Sequence, residues 1–379
     1  MVTDQYPPFV GGVARHVLLV KTELEKRGHT ITVLTTDFGK KKVETNVYTL
    51  PSVPFPLRRL DPMVIPFNPE LESKLEKLPF DIVHNHLFMS GFMGLRIAKK
   101  KTIPSLVTLH LLFNTYVNWI LPFPKTWYPF TDRVARYYFN KHDAVDAPST
   151  KAYKELQRLH LSAELKLIYN GINLPDPRNV NENLFFDTFH VDKKDPLIAI
   201  IGRIDPEKNV DLTVKAVAKV RMKIPNIKLA IVGDGQLRPQ VEKVVDALDM
   251  RKSVLFTGYV DQAMVASINK ASQIILFASV GDTLPTVLIE GMSLEKPIIA
   301  VNDLAIVDLV HNKKNGIIVN KSADEMAEGI ITLLEDDKLR LQYGKASYEF
   351  SKAFSIQNHV DNLENFYREL IEKKKRSIK

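Results

Sequence analysis

Arg203 follows Gly202 directly at the end of the apolar run LIAIIG, and Lys208 comes five residues later, just ahead of a helical pattern. Two permanent cations beside a strand end and a helix N-terminus suit a diphosphate: arginine supplies a planar fork of donors, lysine a compact charge. The alternative is a surface loop in which Asp205 and Glu207 take both cations as ion pairs, and on this segment alone the two readings are even. A second stretch, GDTLPTVLIEG at 281–291, sets Asp282 and Glu290 eight positions apart with Thr283, Pro285 and Thr286 between them. Taken alone it favours a capped core helix, with Thr283 or its neighbour as N-cap, Pro285 in the first turn, and Val287, Leu288 and Ile289 inward.

His110 closes SLVTLH and so ends a predicted strand, where an imidazole can donate to a substrate hydroxyl or carbonyl; the alternative is a satisfied interior histidine. His84 and His86 end another strand, DIVHNH. Together the three match no zinc spacing and bring no evident carboxylate, so no metal is expected. Gly11 and Gly12 precede a helical pattern that runs to Gly28, and a glycine pair there lets backbone amides approach an anion or sugar closely. A tight strand-to-helix turn explains them equally well. Gly233 and Gly235 in KLAIVGDG give half of a dinucleotide fingerprint without the full pattern, which leaves a dehydrogenase poorly supported.

These residues need elements to carry them. Short β-branched runs alternate with helical patterns along the whole chain, which predicts an α/β fold of parallel sheets covered by helices. In such sheets ligands bind beyond the carboxyl ends of the strands. The first run, MVT, is short enough to suggest a truncated start or a brief edge strand. A chain of 379 residues exceeds one ordinary core, and the polar, proline-containing stretch near 172–195 divides it into two halves, each Rossmann-like. The last pattern, IQNHVDNLENFYRELIEKKKR, is an amphipathic helix with a basic tail.

Composition narrows the chemistry further. With 45% hydrophobic and 25% charged residues the chain is globular, and no apolar run is long enough to cross a bilayer. No secretory signal is recognisable, so a cytoplasmic protein is expected. The absence of cysteine removes disulfides and thiolate chemistry. A net charge of +8 is compatible with anionic lipid, phosphorylated small molecules or simple solubility, but dispersed basic residues and the lack of a binding module argue against nucleic acid.

Seven segments in order, YPPFVGGVARHV, THLLFN, IYNGIN, GRIDPEKN, VGDG, FTGYV and GDTLPTVLIEGMSLEKPIIA, resemble the retaining nucleotide-sugar glycosyltransferases of family GT4. The resemblance spans essentially the whole chain. It implies the GT-B fold: two Rossmann-like domains facing a central cleft, with an acceptor domain at 1–172, a donor domain at 173–355, and a C-terminal helix at 356–379 crossing back to the first domain. It also implies roles. Arg203 and Lys208 stabilise the departing diphosphate of a UDP- or GDP-hexose, Asp282 meets the donor-sugar hydroxyls and Glu290 the ribose, and His110 joins Arg203, Lys208 and Asp282 as a catalytic residue. Gly11, Gly12, Gly202, Gly233, Gly235, Tyr259, Thr283, Thr286 and Val287 line the donor site. Two departures stand out: Asp282 is one methylene shorter than the family's usual glutamate, and Pro285 stands where glycine is common. No Asp-x-Asp motif occurs, in keeping with chemistry that needs neither metal nor cofactor.

The acceptor is less legible. Residues 113–139 hold ten aromatic side chains, where the chain average of 9% gives two or three. Trp119 and Trp127 beside Lys125, Arg133 and Arg136, with Lys99, Lys100 and Lys101 just upstream, suit the interface of an anionic membrane, while local core packing of the aromatics is nearly as good an account. The layout also resembles the glycolipid-synthesising branch of GT4, which implies a lipid acceptor and a peripheral position on the inner membrane face. Soluble sugars or sugar phosphates, or a catalytically silent nucleotide-sugar-binding protein, are the alternatives.

Overall fold

The computed structural model describes residues 1–9, 11–37, 45–53, 63–110, 112 and 125–378. The chain divides into two compact units, Met1–Ile172 together with Ile356–Lys379, and Asn173–Ser355.

In the second unit six parallel strands lie in the order Val254–Gly258, Lys228–Val232, Leu197–Ile201, Ile274–Phe277, Ile298–Val301, Gly316–Val319. Four of the six are almost wholly apolar runs, because helices cover both faces and leave no solvated side for alternation. Numbered along the chain, the order is 3-2-1-4-5-6. The direction of winding reverses between Leu197–Ile201 and Ile274–Phe277, and a crevice opens beyond the carboxyl ends of two strands at such a reversal. Gly202 and Arg203 leave one of those ends; Ser279 to Asp282 leave the other.

The first unit repeats the plan. Val83–Asn85, Ser105–Thr108, Ala144–Ala147 and Glu164–Leu167 form a parallel four-stranded sheet, and Val33–Thr36 pairs with Val47–Leu50. Val2 joins the two sets, bridging Leu34 on one side and Asn85 on the other, with its N–H donating to His84 O at 2.8 Å and its carbonyl accepting from His86 N at 2.8 Å. The short run MVT is therefore central, not an edge. It is brief because its chain turns away after Thr3, whose hydroxyl donates to Gln5 O at 3.0 Å and accepts from Gln5 N at 3.2 Å.

The helix Ile356–Ile378 packs on Gly12–Lys26 within this same unit. Val360, Leu363 and Phe366 meet Val20 and Leu24 in a common core, each apolar side chain so buried contributing roughly 1.5–3 kcal/mol. At the rim Arg27 donates to Asp361 at 2.6 Å and Glu364 at 3.3 Å. Among the described residues no helix is long and apolar enough to cross a membrane.

Candidate active site

Asn209 organises the reversal point of the second unit. It sits at φ 48°, a left-handed conformation that asparagine tolerates, and its side-chain amide donates to Ala278 O at 2.9 Å and Glu207 O at 3.2 Å. Val280 N donates to the same Glu207 carbonyl at 3.1 Å. The loop after one strand is thus laced to the loop after the other. The single 3₁₀ turn Pro206–Lys208 then delivers the Lys208 ammonium to Asp282, 2.7 Å from each carboxylate oxygen. The pair is mostly sheltered, with side-chain exposures of 18% and 25%.

Arg203 behaves differently. Its guanidinium is 58% exposed and lies 3.1 Å from Asp205 and 3.7 Å from Glu207, so the loop ion pairs that compete with the phosphate reading are formed here. At that exposure solvent screens them and they hold the side chain weakly. Gly202, Arg203, Lys208 and Ser279 line a small hollow, and the Ser279 hydroxyl is buried there with no described partner.

Two glycines are required by shape. A Cβ on Gly233, at φ 127°, would meet Gly202 O at 2.2 Å, and one on Gly235 would meet Ile204 O at 2.5 Å. Nearby, the exposed Tyr259 donates its hydroxyl to Asp234 O at 3.3 Å.

Beyond Asp282 the helix runs Thr286–Ser293 with Pro285 itself as N-cap and no side-chain cap. The expected cap at Thr283 and the proline in the first turn are corrected by one to two positions. The shift has a benefit: with Pro285 outside the helix, its missing N–H removes no amide from the first turn, and those of Thr286 and Val287 open the helix. Leu288 and Ile289 are buried, Val287 partly, and Glu290 is buried and accepts from Gln262 Nε2 at 3.1 Å.

In the first unit histidines follow two strand ends, His86 directly after Asn85 and His110 after Leu109. His86 Nδ1 and His110 Nε2 share a hydrogen bond at 3.0 Å, and His16, from the Gly12–Lys26 helix, packs edge-on to His110 with ring centres 4.9 Å apart. Burial, with the neighbouring histidine His359, pushes His110 down to about 3, and burial pushes His359 down to about 4, so both are neutral at neutral pH. His16, rather than His84, completes the trio with His86 and His110, their nitrogen atoms within 4.8 Å of one another. His84 turns instead to Tyr367 at 2.5 Å and Thr108 at 2.7 Å. Thr108 also lies 2.9 Å from Asp146 Oδ2, so Tyr367, His84, Thr108 and Asp146 form one buried chain of hydrogen-bonded groups. Gly11 caps the helix that begins at Gly12 without a side-chain bond.

Of the residues expected at a membrane, Trp119 lies outside the described residues. Trp127 is half exposed, and Lys99 is exposed. Lys100 is held by Glu72 at 2.9 Å and Glu76 at 2.6 Å, and Lys101 donates to Glu76 O at 2.8 Å. The basic triplet is largely spoken for by the neighbouring Pro69–Glu76 helix, a pairing across elements that the linear sequence did not reveal. The aromatic window also divides: Tyr138 and Phe139 join the core beside Phe88 and Phe92, whereas Phe130 and Tyr137 are each 62% exposed.

Comparison with known proteins bears on the family and the fold. Residues 10–175 match the model of Glycosyltransferase Family 4, and residues 181–350 that of Glycosyl transferases group 1. An alpha-monoglucosyldiacylglycerol synthase of Acholeplasma laidlawii is 26% identical over 99% of this chain and 98% of its own length. The synthase of the same name from Streptococcus pneumoniae is 27% identical over 84% of this chain and 74% of its own. Among solved structures, sucrose-phosphate synthase from Thermosynechococcus elongatus superposes with a TM-score of 0.78 at 18% identity, covering 98% of this chain and 99% of that one. Anabaena HepE, solved with UDP and glucose, superposes with a TM-score of 0.76 at 17% identity, covering 97% and 99%. At those identities the structural likeness speaks for the fold.

Proposed function

The chain belongs to the GT4-like glycosyltransferases of the GT-B fold, and from that premise we propose that it transfers a hexosyl unit, with retention, from a UDP- or GDP-hexose to a membrane-lipid hydroxyl. The observation that carries the reading is the meeting of Gly202, Arg203, Lys208 and Asp282 at the strand-order reversal. The lipid acceptor is supported by the relatives named for glucosyldiacylglycerol synthesis.

Breaking the anomeric bond leaves negative charge on the β-phosphate. Lys208 and Arg203, fixed before the reaction begins, stabilise that charge more in the transition state than in the ground state. Asp282 orients Lys208 and accepts from donor-sugar hydroxyls, Glu290 accepts from the ribose hydroxyls, and the amides of Thr286 and Val287 meet the diphosphate. His110, neutral, is suited to donate to a substrate hydroxyl. The acceptor oxygen bonds to the anomeric carbon on the face the diphosphate leaves, and the departing phosphate takes the acceptor's proton. Charge neutralisation falls to protein cations, and no metal or cofactor takes part.

The test is transfer of labelled hexose from UDP- and GDP-hexoses to diacylglycerol in detergent micelles, with soluble sugars as competing acceptors. Label in lipid supports the reading. Label only in a soluble sugar moves the acceptor to that class, and donor binding without transfer or hydrolysis indicates a silent binder.

A further inference from the structure

We infer that His86 is a positioning residue for His110: its Nδ1, donating to His110 Nε2, fixes the His110 proton on Nδ1 and leaves that ring a hydrogen-bond donor only. The inference rests on the role proposed for His110 and names the residue that equips it for that role. His86 Nδ1 and His110 Nε2 are 3.0 Å apart. A neutral imidazole carries one ring proton, so one of the two rings donates and the other accepts. Both are neutral: burial pushes His110 down to about 3, and burial, with His84 and His110 beside it, holds His86 well below the ordinary histidine range.

The direction of the bond follows from the far side of His86. Its Nε2 is buried with no hydrogen-bond partner among the described residues. A proton there would be a buried N–H without an acceptor, which folded proteins rarely leave, whereas an unmet acceptor is tolerated more often. The proton therefore sits on Nδ1 and points at His110 Nε2. With that lone pair taken, His110 carries its own proton on Nδ1, and of the two rings His110 is the one partly exposed. Neither ring turns freely. His86 lies over His84, ring centres 4.0 Å apart, and His84 is tied at both nitrogens, to Tyr367 and Thr108. His16 packs edge-on against both, 5.8 Å from His86 and 4.9 Å from His110. A ring held in this way donates to a sugar hydroxyl or a phosphate oxygen but has no free lone pair to act as a base. That division of labour fits a reaction in which the departing phosphate takes the acceptor's proton.

The test reads the tautomer and the kinetics of the full chain. In protein labelled with heavy nitrogen at histidine, long-range proton–nitrogen spectra separate protonated from bare ring nitrogens, and the His110 signals are identified by their loss in His110→Ala. A protonated Nδ1 and a bare Nε2 are expected; the reverse tautomer overturns the inference. His86→Leu should lower turnover about 10²-fold, the scale on which a misplacement of about 1 Å acts, with the KM of the sugar nucleotide little changed. His86→Asn, whose amide stands where Nδ1 stood, should recover most of that loss. His86→Gln, whose amide reaches the place of Nε2, should not. In the His110→Ala background His86→Leu should cost no further turnover, because it acts through His110. A full further loss there, or equal turnover of the Asn and Gln variants below their melting temperatures, overturns the inference and leaves His86 a core residue. The spectra need no activity, so an unaltered protein that turns over neither UDP- nor GDP-hexose would sink the proposed reaction while the tautomer still decides the part played by His86.

Discussion

Lys208 and Asp282, 74 residues apart in the chain, close on one another with the ammonium 2.7 Å from both carboxylate oxygens. One is a phosphate ligand and the other a sugar ligand in the proposed mechanism, so their alignment is a single event. Lys208→Ala should lower turnover by about 10²–10³, the usual loss for one transition-state charge donor. Asp282→Ala should mainly weaken discrimination among donor sugars. Because the residues touch, the double variant should depart from additivity by about 0.5–3 kcal/mol. Additive effects in steady-state kinetics would show that the pair does not act as a unit.

Arg203→Ala should also lower turnover, although its contacts with Asp205 and Glu207 leave the side chain exposed. Salt screens the attraction between this exposed arginine and a diphosphate, so turnover of the unaltered enzyme should fall more steeply with ionic strength than that of the variant, which lacks the charge. Rate against ionic strength in both proteins reads this. A variant with full turnover removes Arg203 from the mechanism.

Glu290→Ala should weaken binding of plain nucleoside diphosphate, because the buried carboxylate, positioned by Gln262 at 3.1 Å, is assigned to the ribose. Calorimetric titration of UDP and GDP checks this. Gln262→Ala should produce a smaller loss in the same direction, and equal affinity in the Glu290 variant would reassign the ribose contact.

The alternation of β-branched runs with helical patterns was enough to read a parallel α/β fold, since strands buried on both faces must be apolar throughout. The cations and carboxylates could be singled out because each follows a strand end. Their pairing could not, because it depends on strand order: Leu197–Ile201 and Ile274–Phe277 are adjacent only through the reversal of winding. His16 escaped notice for a related reason. It lies inside a helix with no motif of its own, and only the fold carries it to His86 and His110. Val2 shows the limit of local signals, since a strand reduced to one bridging residue has no periodicity to detect.

The buried Asp146 gives a pH dependence of defined sign. Burial raises its carboxyl to about 8, so the folded protein keeps a proton that the unfolded chain releases near 4. Its contribution to stability is complete below the unfolded value and is lost as pH rises towards 8. Stability of the unaltered protein relative to Asp146→Asn should therefore fall across that window, by roughly 1 kcal/mol per pH unit at its steepest. The depressed histidines contribute to both proteins and cancel in the difference. Denaturant melts in buffers spanning the window give the slope, and a difference that stays flat with pH would mean Asp146 is ionised in the folded state.

Chelation tests the histidine trio. His16, His86 and His110 have the donor chemistry for a divalent ion, but His86 and His110 already bond to each other at 3.0 Å, and that proton would have to leave for both to bind metal. Dialysis against a chelator should leave turnover and melting temperature unchanged. Loss of either, restored by zinc or magnesium, would assign the trio a resident ion.

Gly91 and Tyr138 test the packing of the helix Tyr128–Phe139. A Cβ on Gly91 would stand 2.0 Å from the Tyr138 hydroxyl and 3.1 Å from the ring carbon that bears it, in a region where Tyr138 also donates to Leu87 O at 3.1 Å. Gly91→Ala must therefore push the ring outward, breaking that bond and disturbing the contacts with Phe88 and Phe92; a change of this kind destabilises by about 1–3 kcal/mol. Tyr138→Phe removes the oxygen that clashes. In the Gly91→Ala background it should restore part of the lost stability, whereas in the unaltered background it should be mildly destabilising through the lost bond. Opposite signs for one substitution in two backgrounds follow only if the hydroxyl is the point of conflict. Paired thermal melts decide it: a second substitution that destabilises both backgrounds equally would mean that the helix accommodates the added methyl in another way.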